Sequence, residues 1–124
     1  MTAREWSLKL DLGRPPSINT VYGKHWATKH HITGLWTVGA SVLARNAGVP
    51  KGLDQVSIVS QVHRSDRKFM DLGNELPAVK AAVDGLVRFG MVPDDDPGHV
   101  VELRFVAPVL ADWDGLLLTI EEVV

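Results

Sequence analysis

The chain opens with apolar and polar residues in alternation, the period-two pattern of a strand with one buried face. The apolar positions are Trp6, Leu8, Leu10 and Leu12. The segment Gly13-Arg14-Pro15-Pro16 ends the pattern, because consecutive prolines cannot continue a sheet ladder. Similar apolar runs predict further strands over 56–62, 99–107 and 115–123.

Two segments show the three-to-four-residue spacing of amphipathic helices. The first predicts a helix from about His31 to Asn46, and the second predicts a helix over 77–89, opened by Pro77. The predicted order is strand, helix, strand, helix, strand, strand, with the last two strands joined as a hairpin. This order predicts an α+β domain with a small mixed or antiparallel sheet and two main helices.

Length and composition restrict the class of protein. A chain of 124 residues fits one compact domain over 1–124. There are no cysteines, which excludes disulfides and thiolate metal sites. The start, Met-Thr-Ala-Arg-Glu-Trp, lacks the apolar core of a signal peptide, and no apolar run approaches the ~20 residues that span a bilayer. A cytoplasmic protein is the simplest interpretation.

The charges are distributed unevenly, although the net charge is only −2. Residues 1–70 contain ten Lys and Arg against four acidic residues, a balance of +6. Residues 71–124 contain three against eleven, a balance of −8. This asymmetry indicates one surface for a polyanion and another for cations, or a chance segregation of solvated charges.

The acidic half contains the residues that suggest chemistry. They occur in three short stretches: Asp71-Leu72-Gly73-Asn74, then Lys80-Ala81-Ala82-Val83-Asp84-Gly85-Leu86, then Gly90-Met91-Val92-Pro93-Asp94-Asp95-Asp96. Three consecutive aspartates repel one another, and a hard divalent cation such as Mg²⁺ would relieve that repulsion. The alternative is a solvated Asp-Pro-Gly turn that ends the second helix.

In combination, these stretches resemble the RusA family of Holliday junction resolvases, and the resemblance runs from about residue 6 to residue 106. The matching positions are Asp71 and Asn74, then Lys80, Asp84 and Leu86, then Gly90, Asp94 and Asp95, with Pro15-Pro16-Ser17-Ile18-Asn19-Thr20 near the N-terminus. The chain departs from the family at Gly73, where the archetype carries a second Asp. That departure removes a potential metal ligand.

The resemblance implies a homodimeric, Mg²⁺- or Mn²⁺-dependent endonuclease that nicks four-way DNA junctions in recombination and repair. It implies Asp71, Asp95 and Lys80 as catalytic residues, with Asp94 as a further metal ligand. Asp84 is either a ligand or a structural ion-pair partner, and Lys80 is either a phosphate contact or an exposed helix lysine paired with Asp84 at i, i+4. A non-catalytic module that binds DNA or protein is the main rival, and an unrelated small domain is a third possibility.

The spacing of the acids adds a geometric expectation. A helix over 77–89 is ~20 Å long, so Asp71 before it and Asp95 after it cannot share one ion unless a loop doubles back. Two antiparallel copies of the helix would bring the start of one beside the end of the other. We therefore expect a site completed across a two-fold dimer.

Several basic and polar residues are candidates for contacts with DNA. Lys24 and Lys29 flank Trp26, a combination suited to gripping phosphates and stacking on a base. Asn74 is expected either to orient a ligand or, preferably, to cap the following helix. The full set of predicted DNA contacts is Asn19, Lys24, Lys29, Arg64, Arg67, Lys68 and Asn74.

Overall fold

The computed structural model describes residues 3–124, so Met1 and Thr2 of the predicted domain lie outside the described residues. The elements are β1 (Glu5–Leu10), α1 (Ile18–Val21), α2 (Trp26–Asn46), β2 (Val56–Arg64), α3 (Leu76–Phe89), β3 (Val100–Leu110) and β4 (Gly115–Glu122). The predicted α+β class with a small mixed sheet is confirmed. The one-turn helix α1 lies between the first predicted strand and the first predicted helix, where the sequence pattern predicted no element.

The four strands form one sheet in the order β1-β4-β2-β3. β4 pairs antiparallel with both β1 and β2, whereas β2 and β3 are parallel. The parallel pair follows from chain order, because a strand, a helix and a strand in succession form a crossover unit that returns in the same direction. The other edge of β3 has no partner in the described chain.

The predicted hairpin of the last two strands is wrong, because β2 lies between β3 and β4. The connection over 111–114 passes around the end of β2. There the N–H of Ala111 donates to the carbonyl of Arg64 at 2.7 Å, and the N–H of Ser65 donates to Asp114 Oδ1 at 2.9 Å. Four residues are enough to cross two inter-strand spacings of about 4.8 Å each.

The two long helices pack side by side on one face of the sheet, with α2 against β1 and α3 toward β3. They approach closely at Gly85, where an added Cβ would lie 2.1 Å from the carbonyl oxygen of Thr37. The core between helices and sheet is formed by aliphatic residues of β1, β2, β4 and both helices, together with Trp36, and partly buried residues of β3 pack against it. Within residues 3–124, no helix combines the length and the apolarity needed to cross a bilayer.

The start of α2 and the cap of α3 differ from the sequence prediction, whereas Pro77 lies in the first turn of α3 as predicted. α2 begins at Trp26, five residues before the predicted His31. His25 Nδ1 accepts the N–H of Ala27 and so caps the helix at this earlier point. The residues from 26 to 31 lack the apolar periodicity from which the helix was predicted. The N-cap of α3 is Glu75, and no side chain caps this helix. The expectation that Asn74 caps α3 is therefore wrong.

Candidate active site

The outer face of α3 presents a stripe of charged residues. Lys80, Asp84 and Arg88 are spaced four residues apart, so they lie on one side of the helix. They are exposed because the opposite side, which includes Ala78, Ala82 and Leu86, is buried against the sheet. The local sequence thus directs a cation, an anion and a second cation toward solvent along one line.

Asp95 joins this stripe from the loop that follows α3. Together with Lys80, Val83, Val100 and Leu103 it lines a cavity of about 200 Å³ between α3 and β3. Burial raises the pKa of the Asp84 carboxyl, and the nearby Asp95 carboxylate raises that pKa further. Arg88, Lys80 and His30 lower it, in that order of effect. Two carboxylates and one ammonium group therefore share a small region.

The other two aspartates of the triplet make contacts within their own loop. Asp94 Oδ1 accepts the N–H of Asp95 at 2.8 Å, and Asp96 Oδ1 accepts the N–H of Gly98 at 3.0 Å. The carbonyl of Asp96 also accepts the N–H groups of His99 and Val100. Asp94 and Asp96 therefore stabilise the turn after α3. Asp95 is the aspartate of the three that lines the cavity between α3 and β3.

Asp71 lies at the opposite end of α3 from Asp95. Its side chain is exposed, and its carbonyl accepts the N–H of Asn74 at 3.0 Å in the turn that leads into the helix. Gly73 in that turn has φ +91°, a backbone conformation that favours glycine. No group of three or more His, Asp or Glu side chains within residues 3–124 is close enough to hold a metal ion. The structure therefore brings together Lys80, Asp84 and Asp95 in one chain, but it does not gather them with Asp71.

The basic, aromatic segment at the start of α2 adjoins the charged stripe. A cleft of about 280 Å³ between α2 and α3 is lined by residues that include Tyr22, His30, Lys80 and Asp84. Trp26 is exposed there, with its ring 5.8 Å from that of His25 and 5.6 Å from that of His30. Sequence analysis did not predict this proximity, because nothing in the local pattern shows which helix packs beside α3.

The predicted DNA contacts in this region differ in accessibility. Lys24 is exposed in the turn before α2, and Lys29 is partly buried within the first turns of that helix. Arg67 and Lys68 are exposed in the loop that follows β2 and leads to Asp71. These four cations remain candidates for contact with a polyanion.

Arg64 is placed differently. It is only 4% exposed, with its Nη2 2.8 Å from Asp66 Oδ1 and its Nε 3.2 Å from Asp114 Oδ1. The connection between β3 and β4 encloses it at the end of β2, so its charge is used within the fold. The hydrogen bonds from the N–H and hydroxyl of Ser65, followed by the guanidinium of Arg64, lower the pKa of the Asp114 carboxyl.

A larger cleft lies on the other side of α2. We call it the N-terminal cleft; it has a volume of about 670 Å³ and walls formed by residues of the segments 12–20 and 32–36, together with Met70 and Asn74. Asn19 and Asn74, both predicted to contact DNA, line it together with Arg14. The sequence pattern did not predict that these three residues share a cleft, because they come from segments up to 60 residues apart.

Sequence analysis also missed the buried carboxyl group of Glu75, at the start of α3. The residue is 2% exposed, and its Oε1 has no hydrogen-bond partner among the described residues. Burial raises the pKa of this carboxyl, whereas the backbone N–H groups of Glu75 and Gly73 lower it. A glutamate at this position, between Asn74 and Leu76, is typical of the polar residues that precede a helix. The sequence therefore gives no indication that it is buried.

A scan against models of protein families and a search of curated proteins found no match to this chain.

Proposed function

We propose that the chain is a divalent-metal-dependent endonuclease that hydrolyses phosphodiester bonds in branched DNA such as four-way junctions. On this proposal it is a cytoplasmic, homodimeric enzyme of recombination and repair with a RusA-like fold. The observation that carries the proposal is the grouping of Lys80, Asp84 and Asp95 beside a cleft that also holds the basic, aromatic start of α2. These residue types were predicted from the sequence to act together.

The donor set fits a hard divalent cation. The Asp95 carboxylate raises the free energy of the charged form of Asp84, and a cation between the two carboxylates would remove that penalty. Mg²⁺ or Mn²⁺ at this position would supply an activated water and would neutralise charge on the scissile phosphate. Asp95 and Asp84 would hold the ion, with Asp94 as a further ligand, and the ammonium group of Lys80 would contact a phosphate oxygen.

Asp71 completes the site from a second subunit in this proposal. α3 has 14 residues, so its ends are ~20 Å apart, and Asp71 precedes the helix while Asp95 follows it. Two antiparallel copies of α3 related by a two-fold axis would place Asp71 of each chain beside Asp95 of the other. Two such sites would suit a junction, in which two strands are nicked.

The unpaired edge of β3 supports this arrangement. The strand has 11 residues, and Val101 and Leu110 on it are 41% and 50% exposed. An open edge of this length is a template for pairing with another strand. Antiparallel pairing of two β3 strands would bring the two α3 helices side by side, because α3 lies on the β3 side of the helical layer.

The cations near the start of α2 and after β2 would bind the DNA backbone on either side of the metal. Lys24 and Lys29 flank Trp26 in the sequence around the start of α2, and Arg67 and Lys68 precede Asp71. Contacts of this kind fix the register of a duplex without reading its sequence. Arg64 would support this surface by holding the loop that carries Arg67 and Lys68, because Asp66 also accepts the N–H of Lys68 at 2.9 Å.

A second candidate function is binding to DNA or protein without cleavage. Gly73 favours it, because the archetype of the proposed family carries an Asp at this position. The φ of +91° at Gly73 shows that this turn has adopted a conformation that an Asp would occupy only with strain. The two candidates differ in whether a bound junction is nicked.

The test is an assay on synthetic four-way junctions with and without Mg²⁺. We expect metal-dependent nicking, and we expect Asp71→Asn and Asp95→Asn to lower its rate by at least about 100-fold while junction binding persists. Tight binding without nicking at any Mg²⁺ or Mn²⁺ concentration would favour the non-catalytic module. A chain that neither binds nor nicks would contradict both.

A further inference from the structure

The N-terminal cleft has the chemistry of a pocket for a nucleotide. Its lining combines apolar residues, among them Ile32, Leu35 and Met70, with the polar residues Asn19 and Asn74 and the cation Arg14. Its volume of about 670 Å³ lies within the range of small-ligand pockets, roughly 300–1,000 Å³. Apolar side chains accept the face of a base, and amides can pair with its edge.

The charge of the lining favours an anionic ligand. None of the residues that line the cleft within the described chain is acidic, and Arg14 is a cation at its rim. This is notable beside the acidic half of the chain, where Asp71 precedes Asn74 by three residues. A phosphate can therefore approach the cleft without meeting a carboxylate of its lining.

Hydrogen bonds connect the cleft to the proposed active site. The N–H of Ile18 donates to the carbonyl of Asn74 at 2.9 Å, which ties the 12–20 wall to the turn that carries Asp71. The side-chain amides of Asn19 and Asn74 make no hydrogen bond to other described residues, so both are free to pair with a ligand. Because the turn is shared, a nucleotide held in the cleft would lie next to Asp71 along the same strand.

We propose that the N-terminal cleft binds one unstacked nucleotide of the DNA strand that passes Asp71. This proposal rests on the proposed nuclease function and adds how a branch point is recognised. A nucleotide at a branch point lacks full stacking or pairing, so its extrusion into a pocket costs less free energy than extrusion from a continuous duplex. The cleft would therefore favour branched DNA over linear duplex.

The test uses four-way junctions with 2-aminopurine at the exchange point, in Ca²⁺ to measure binding without turnover. Anisotropy of an end label reports binding, and 2-aminopurine fluorescence reports unstacking. The informative variant is Leu35→Glu, which places a carboxylate on the cleft wall at a residue that is 56% exposed. Val42→Glu is the matched control, because Val42 lies two turns further along α2, is 51% exposed and does not line the cleft.

We expect junction binding to raise the 2-aminopurine fluorescence of the wild-type complex and of Val42→Glu. We expect the rise to fall at least about fivefold in Leu35→Glu at saturating protein. The proposal is overturned if the junction binds without any rise, or if Leu35→Glu and Val42→Glu give the same rise. Absence of an anisotropy change would overturn the DNA-binding function itself, and with it this proposal, whereas an anisotropy change without a fluorescence rise would overturn this proposal alone.

Discussion

Glu75, the residue just before α3, is a buried carboxyl group, and its burial in the charged form costs folding free energy. Its carboxyl group is buried directly beside the turn that carries Asp71, and one oxygen has no partner among the described residues. Because burial raises its pKa, the native state keeps the proton to a higher pH than the unfolded chain does. The residue that begins the proposed catalytic helix is therefore a pH-sensitive element of stability.

We predict that Glu75→Gln removes a pH-dependent loss of stability. The raised pKa means that the free energy of unfolding of the wild type falls as pH rises from near 4.5, the ordinary value, through the raised value. Glu75→Gln lacks this titration, so it should gain stability relative to the wild type between about pH 4 and pH 7. Urea unfolding of both proteins across this range measures the difference, and a difference that does not change with pH would contradict the prediction.

At this scale, the sequence could identify the chemistry of residues but not their partners. It singled out Lys80, Asp84 and Asp95, which the structure brings together. It counted Arg64 among the DNA contacts, and the structure encloses that guanidinium with Asp114. Asp114 is 50 residues away, so no local pattern could reveal the pair.

The elements were predictable where periodicity is strong, and their arrangement was less so. The predicted helix over 77–89 agrees closely with α3, because eight of its residues are buried at helical spacing. The predicted pairing of the last two strands was wrong. A short connection between two strands predicts a hairpin from sequence alone, whether or not a third strand lies between them in the sheet. The position of β2 depends on long-range packing, which strand periodicity does not contain.

The contact of α2 with α3 gives a stability prediction for these elements. A Cβ at Gly85 would lie 2.1 Å from the carbonyl oxygen of Thr37, so Gly85→Ala should force the helices apart and destabilise the fold by about 1–3 kcal/mol. Gly34→Ala in α2 is the matched control, because nothing lies within 4 Å of its added Cβ. It should stabilise the fold by about 0.5–1 kcal/mol through helix propensity.

Denaturant unfolding measures both changes in one experiment. Equal effects of Gly85→Ala and Gly34→Ala would show that the close approach of the two helices does not determine the role of Gly85. A result in the predicted direction would also explain why a small residue lies between Asp84 and Leu86 on a helix whose outer face carries the proposed site.

For the whole molecule, the central question is how acids at both ends of one helix act together. A single chain groups Asp84 with Asp95 but gathers no set of three potential ligands within residues 3–124. An open strand edge lies on the side of α3, where a second copy would bring the opposite helix end alongside. From the length of the helix, the sequence predicted that Asp71 and Asp95 of one chain lie too far apart to share an ion. It could not predict that β3 has an open edge at which a second chain could pair.

Subunit mixing tests the shared site most directly. Asp71→Asn and Asp95→Asn are each expected to be inactive alone. When the two are unfolded together and refolded, about half of the dimers are mixed, and each mixed dimer regains one site with both carboxylates intact. The account predicts that nicking of four-way junctions recovers to about a quarter of the wild-type rate. A mixture as inactive as either variant alone would contradict it, because a site built within one chain cannot be restored by exchange of subunits.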